Sequence, residues 1–417
     1  MGLKFRLTIM SFLQFFVWGA WLITIGTYCL NAKGWSFPEF GSIFSTMAIS
    51  SLFMPALIGI VADKWINAEK IYGILHILYG LVLFIVPLVD NPDTLFWIIL
   101  VAMFFYMPTI SLSNSIAYSI LKKNNLDVVK DFPPIRVWGT IGFIVAMWIT
   151  NLSGSKDNAQ QFIIGAVIAI VLGIYSFSLP KCPPLKNISK NATLGEMLGL
   201  NAFKLFANYK MAVFFIFAMF LGAALQLTNM YGDSYLDNFK NIPEFADSFV
   251  SKYSTIIMSI SQISETLFIL SIPFFLKKFG IKKVMLISMT AWVLRFGLFS
   301  FGNPSEFLWM IILSNIVYGM AFDFFNISGS LFVETTTDVH IRASAQGLFM
   351  MMTNGIGAYL GSKISGIVIG KYFVQNGVND WHSIWLTFSI YALIITVLFA
   401  VFFKHKHDPN QLENISH

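Results

Sequence analysis

The stretch Tyr318-Gly319-Met320-Ala321-Phe322-Asp323-Phe324-Phe325-Asn326-Ile327-Ser328-Gly329 lies inside an apolar run over 306–332 and holds one strong acid, Asp323. The run exceeds the ~20 residues a helix needs to cross the hydrocarbon of a bilayer. A charge near the centre of such a helix costs roughly 3 kcal/mol on insertion scales, so a carboxylate kept there faces a partner or a wet cavity. Ser259–Leu270 reads the same way, with Glu265 as its single charge. Two isolated acids in apolar spans point to a polar site at the depth of the membrane centre.

The rest of the chain agrees. Its 417 residues are 56% hydrophobic and 12% charged, with a mean hydropathy of +0.71, whereas soluble proteins carry about 25% charged residues. About twelve apolar runs are long enough to span: 6–30, 41–62, 70–89, 95–121, 135–152, 162–180, 208–231, 251–276, 282–301, 306–332, 344–370 and 381–403. The expected fold is therefore all-α, a polytopic membrane protein of about twelve transmembrane helices in two six-helix bundles.

The net charge of +6 does not indicate nucleic acid, because the basic residues follow the membrane topology. Lys33, Lys156, Lys240, Lys252 and Lys371 fall on one side, Arg136, Arg295 and Lys363 lie in or at the edge of spans, and the remaining Lys and Arg collect on the other side. That asymmetry predicts cytoplasmic termini. The start, Met1-Gly2-Leu3-Lys4-Phe5-Arg6, has the basic end of a signal peptide, but the apolar run after it is too long and ends in no cleavage site, so it reads as a retained first span. Arg6 stands where a myristoylation motif wants Ser or Thr.

The longest polar interruption, Lys181–Lys210, divides the chain into an N-terminal bundle (1–180), a cytoplasmic linker (181–207) and a C-terminal bundle with a short tail (208–417). The halves echo each other, as parallel repeats do. Tyr106 and Asn114 share the spacing of Tyr318 and Asn326, Met54-Pro55 matches Ile272-Pro273, and Ile135-Arg136 matches Ile341-Arg342. The turn Gly59-Ile60-Val61-Ala62-Asp63-Lys64 resembles the loop between spans two and three of the major facilitator superfamily, where an acid and a following base grip neighbouring helices. Downstream, Trp65-Ile66-Asn67-Ala68-Glu69-Lys70 departs from that pattern.

No soluble-enzyme constellation is present. A phosphate-cradling Gly-rich loop is missing, which argues against direct ATP coupling. The six His are scattered, and Lys404-His405-Lys406-His407 reads as an interfacial anchor rather than a metal site. The sequons at Asn151, Asn187, Asn191, Asn326 and Asn414 fall mostly in spans or cytoplasmic segments, and Cys29 and Cys182 are expected on opposite sides of the membrane, so neither glycosylation nor a disulfide is expected.

What remains is a set of polar and aromatic residues at helical spacing inside the spans. Arg136, Thr140 and Phe143 share one face, as do Gln226 and Asn229, Gln262 and Glu265, and Tyr318 and Phe322. Such stripes point toward one another or toward water. Taken singly, the amides also suit interhelical hydrogen bonding and the phenylalanines ordinary packing. Arg295 and Lys363 are candidate salt-bridge partners for Glu265 and Asp323. Amides, aromatic faces and a carboxylate together suit a heterocycle bearing vicinal hydroxyls. A sugar porter, a drug antiporter and, remotely, a membrane enzyme stay open on the pattern alone.

Longer motifs narrow the choice. Phe12-Leu13-Gln14-Phe15 with Trp18-Gly19, Asp131-Phe132-Pro133-Pro134-Ile135-Arg136-Val137-Trp138-Gly139-Thr140-Ile141-Gly142-Phe143, Ile257–Leu267, Tyr318–Gly329 and Arg342-Ala343-Ser344-Ala345-Gln346-Gly347 resemble the bacterial nucleoside:proton symporter family of the major facilitator superfamily, from end to end of the chain. Departures lie in loops, such as 153–161 and 237–252. The resemblance implies a secondary active transporter, not an enzyme, that imports purine and pyrimidine nucleosides such as uridine and adenosine by alternating access. It implies a monomer in the bacterial inner membrane, with the proton as coupling ion and no other cofactor. It also implies that Arg136, Thr140, Phe143, Gln226, Asn229, Gln262, Glu265, Tyr318 and Phe322 line the nucleoside site. For proton coupling, the candidates are Asp323 and Glu265.

Overall fold

The structure, a computed structural model, describes residues 2–184, 200–338 and 341–406, apart from the side chains of Val129, Leu200, Asn201 and Ala343. Part of the expected linker, with Lys186, Lys190 and the sequons Asn187 and Asn191, lies outside the described residues, as do His407 and Asn414. Helices form wherever the sequence is apolar for long enough, and polar side chains start several of them. Helix α1 covers Leu3–Gly19, α2 Phe37–Lys64, α3 Ala68–Leu83, α4 Pro92–Lys123, α5 Val128–Leu152 and α6 Gln160–Ser176. They continue with α7 Tyr209–Asn238, α8 Ser254–Ile269, α9 Ile272–Phe301, α10 Leu308–Thr336, α11 Arg342–Met350, α12 Ala358–Tyr372 and α13 Trp381–Phe402.

Ser36 and Glu39 form a reciprocal capping box at the start of α2, Asn91 caps α4, Asn208 caps α7 and Asp380 caps α13. Each supplies an acceptor to backbone N–H groups that have no partner within the helix.

Eight helical stretches among the described residues are long and apolar enough to cross a membrane. The other predicted runs are helical but shorter or broken. The first is α1 followed by turns and a π-helical stretch at Thr27–Ala32. The run over 251–276 does not continue unbroken to its predicted end. It stops at Ile269 and restarts at Ile272 with Pro273 in the first helical turn, where the missing N–H does no harm. Gly280, at φ 76° and ψ 167°, then separates 272–279 from 281–301 within α9. The run over 344–370 is split by a π-helical stretch at Met351–Gly357. The all-α reading missed one small element, a hairpin of β1 (Val374–Gln375) and β2 (Val378–Asn379). Its turn is Asn376-Gly377, both at positive φ, a pair suited to two-residue hairpins.

The described residues divide into two compact units. One holds α1–α6 together with Asn229–Ser234 of α7, and the other holds the rest of α7 with α8–α13. Lipid is as apolar as leucine, so association inside each unit depends on close packing and on hydrogen bonds. In the first unit a Cβ on Gly142 would lie 2.1 Å from the Phe12 carbonyl oxygen, and one on Gly73 would lie 2.8 Å from that of Gly173, so α1 meets α5 and α3 meets α6 nearly backbone to backbone. The second unit repeats the device. A Cβ on Gly222 would lie 2.2 Å from the Thr353 carbonyl, and one on Gly361 would lie 2.5 Å from that of Ala223.

The turn after α2 corrects one expectation. Asp63 and Lys64 are exposed, and the buried acid is Glu69, which accepts from the Cys182 N–H at 2.8 Å and from Asn67 Nδ2 at 3.0 Å. The grip between the start of α3 and the segment after α6 has moved to the stretch where the sequence leaves the superfamily pattern.

Candidate functional site

In the first unit α5 begins at Val128, earlier than its apolar run, and so carries Arg136 as a helical residue with Thr140 and Phe143 on the same face. Arg136 is half-buried, with its guanidinium carbon 4.0 Å from the centroid of the Phe15 ring. Gly139 makes room for that arrangement, since a Cβ there would lie 2.6 Å from Phe15 Cδ2 and 2.9 Å from Arg136 Nη1. Phe143 is buried and meets Trp18 edge to face at 6.5 Å, and Trp18 in turn packs on Tyr106 at 5.5 Å.

Behind these side chains lies a polar chain that sequence reasoning did not identify. Gln14 Nε2 donates to Thr109 Oγ1 at 2.9 Å, Tyr72 Oη donates to Gln14 Oε1 at 2.6 Å, and Tyr106 Oη donates to the Gln14 carbonyl at 2.9 Å. All four residues are buried. His76 Nδ1 is 3.0 Å from the Tyr72 carbonyl. Gln14 was visible as the lone amide in an apolar run, but its partners lie 58 and 95 residues away and only folding brings them together.

In the second unit Gln262 and Glu265 are half-buried on α8. Gln262 Oε1 is buried and accepts no hydrogen bond from the described residues. Tyr318 and Phe322, one turn apart on α10, stack with centroids 5.7 Å apart and planes at 18°. Asp323 is buried, at 6% exposure, while Phe322 is half-buried. Glu265, Arg295 and Asp323 all lie within electrostatic reach of the Tyr318 hydroxyl. Helices α8 and α10 are held together by Ser261 Oγ donating to Asn315 Oδ1 at 2.8 Å and by Ser264 Oγ donating to the Ile316 carbonyl. Gly319 lets α8 approach, since a Cβ there would lie 2.6 Å from the Ser264 oxygen. Gln226 and Asn229 are half-buried on α7, Asn229 in the segment that clusters with the first unit.

Arg295 departs from its expected role. It is 1% exposed and makes no ion pair among the described residues. Its guanidinium serves Ser261, Ser314 and the rings of Tyr318 and Phe299 instead. The packing of α9 against α10 turns it onto the aromatic face rather than onto a carboxylate.

Comparison with known proteins agrees with the motifs. Residues 1–408 match the nucleoside H+ symporter family. The chain is 50% identical to the nucleoside permease NupG of Escherichia coli K12 over all of both chains, and 50% identical to the xanthosine permease of the same organism over 99% of each. A crystal structure of the nucleoside transporter NupG, in a D323A form, superposes with a TM-score of 0.94 over 97% of this chain and 100% of that one. A bacterial homologue of the human lysosomal transporter Spinster shares the fold at 14% identity and a TM-score of 0.67, over 96% of this chain and 95% of that one. Spans built around intramembrane carboxylates, amides and stacked aromatics, together with a full-length match, place the chain in the nucleoside H+ symporter family, as a multi-pass membrane transporter that couples nucleoside import to protons and is not an enzyme.

Proposed function

We propose that this chain imports both purine and pyrimidine nucleosides across the bacterial inner membrane, with both termini in the cytoplasm, and that Arg136, Thr140, Phe143, Gln226, Asn229, Gln262, Glu265, Tyr318 and Phe322 bind the substrate. The observation that carries this reading is Gln262 Oε1, a buried amide acceptor with no donor among the described residues, on the same face as Glu265. A buried acceptor left unmet costs about 1–3 kcal/mol, so an amide kept in this state suits a ligand that brings its own N–H or O–H. The stacked Tyr318 and Phe322 rings offer a π surface for a base, and Glu265 an acceptor for ribose hydroxyls.

Asp323, the more buried of the two acids, is assigned the coupling proton. Protonation removes its charge, and the neutral, loaded transporter then changes its access. A membrane potential favours inward movement of the proton's charge by roughly 2.3 kcal/mol per 100 mV. The asymmetric distribution of lysines supports the orientation. The test is uptake of labelled uridine and adenosine into proteoliposomes, with and without an inward proton gradient. Gradient-dependent accumulation of both is expected. Indifference to nucleosides, or export under the same gradient, would overturn the reading.

A further inference from the structure

Arg295 is a buried cation whose contacts have no place in the transport scheme above. It sits on α9 at 1% exposure. Nη1 donates to the Ser314 carbonyl at 2.8 Å and to Ser261 Oγ at 3.2 Å, and Ser314 Oγ donates back to the Arg295 carbonyl at 2.9 Å. The guanidinium carbon lies 4.5 Å from the centroid of Tyr318 and 5.3 Å from that of Phe299. Nε has no hydrogen-bond partner among the described residues. A desolvated cation without a carboxylate is expensive, and packing alone would be served better by an apolar residue of similar volume. What a guanidinium adds here is a flat, charged plate fixed by a backbone oxygen on one side and attracted to a ring on the other. The ring it holds, Tyr318, is stacked on Phe322 at 5.7 Å.

We propose that Arg295 is a positioning residue for nucleoside recognition: anchored by Ser261 and Ser314, it fixes the Tyr318 ring, and through it Phe322, in the orientation that receives the substrate. The proposal rests on the assignment of Tyr318 and Phe322 to the nucleoside site. It differs from a salt-bridge role in that the group acted upon is an aromatic ring, and from a binding role in that Arg295 itself does not touch the nucleoside. Arg295 therefore belongs to the machinery that sets affinity.

Uridine affinity is measured by calorimetry on purified, full-length protein, with thermal stability recorded alongside. Arg295→Met, which keeps the length of the stem and loses the plate and its charge, should weaken uridine binding by roughly tenfold, the scale of a desolvated cation–π contact. Arg295→Lys should recover part of that loss. The decisive readout is a double-mutant cycle. In a Tyr318→Leu background Arg295→Met should weaken binding no further, whereas in a Phe143→Ala background its effect should add in full. A merely structural role would add in both, and that result overturns the proposal.

The two readings fail separately. If Tyr318→Leu binds uridine like wild type, the assignment of the site falls. If Tyr318→Leu weakens binding while the Arg295 variants bind normally, only the positioning role falls. Should Arg295→Met not fold, Arg295→Lys and Ser261→Ala, which removes one anchor, decide the matter. Both weaken uridine binding if the proposal holds, and wild-type affinity in both refutes it.

Discussion

The two units solve the same packing problem with different chemistry. Tyr106 on α4 and Tyr318 on α10 occupy echoing sequence positions, and each is covered by the helix that precedes it. In the first unit that cover is Tyr79, 5.0 Å away, with His76 at 6.2 Å, and the Tyr106 hydroxyl ends on the Gln14 carbonyl in a buried chain that contains no carboxylate. In the second it is Trp292 at 5.8 Å and the Arg295 guanidinium at 4.5 Å, with Glu265 and Asp323 within electrostatic reach. One unit joins α1, α3 and α4 through a network of neutral hydrogen-bonding groups around Gln14. The other carries charge that a proton can change. If Asp323 carries the coupling proton, as proposed, the two folds divide the work, with coupling in the unit that holds Glu265 and Asp323.

The largest expected effect tests that division directly. Asp323→Asn should abolish gradient-driven uridine accumulation in proteoliposomes, a loss of at least about 10²-fold, because an amide keeps the shape but cannot carry the proton. Uridine binding by calorimetry should survive. Gln14→Leu in the first unit should leave the gradient dependence intact. A Gln14 variant that uncouples transport, or an Asp323→Asn protein that still concentrates uridine, would break the contrast.

Recognition comes next. Phe143→Ala in the first unit and Phe322→Ala in the second should each weaken uridine and adenosine alike, by ~1–3 kcal/mol per lost stack, since every base presents a π face. Glu265→Ala should respond instead to the sugar, so that 2′- and 3′-deoxynucleosides distinguish wild type from variant and the Phe variants do not. Wild-type affinity in both Phe variants would reduce those rings to packing.

The shared packing device gives a symmetric prediction. Gly142→Ala and Gly222→Ala each place a Cβ about as close to a facing carbonyl, at 2.1 and 2.2 Å. Both should lower stability in detergent by ~1–3 kcal/mol, read as a fall in melting temperature. A loss in only one would show that the two close approaches are not equivalent.

The smallest effect concerns helix caps. Asp380, at the start of α13, is held below the usual carboxylate range by the Ser383 hydroxyl and N–H. A depressed folded-state value means that the contribution is complete above the unfolded value, near 3.9, and is lost as pH falls through the lower folded value. Asp380→Ala should cost about 1 kcal/mol at neutral pH and progressively less in acid. Asn91, which caps α4 in the first unit, has no charge to lose. The effect of Asn91→Ala, followed by melting temperature, should stay level over the same range.

Much of the molecule was legible from the chain alone because the bilayer leaves so few options. Backbone groups in hydrocarbon must bond within their own segment, so apolar length sets helix position, and each predicted run is helical among the described residues. The cost of intramembrane charge singled out Asp323 and Glu265, helical periodicity put Arg136, Thr140 and Phe143 on one face, and long motifs carried the family. Local chemistry also marked the hairpin, through Asn376-Gly377, although the all-α reading passed over it. What only the tertiary structure decided is how side chains far apart in sequence meet. Glu69 rather than Asp63 is the buried acid beside Cys182, Gln14 is the hub of Tyr72, Tyr106 and Thr109, and Arg295 lies on Tyr318 instead of pairing with an acid. These choices depend on which helices approach within a glycine's width and on how each is rotated, which is set by contacts summed over whole helix faces and by no single stretch of sequence.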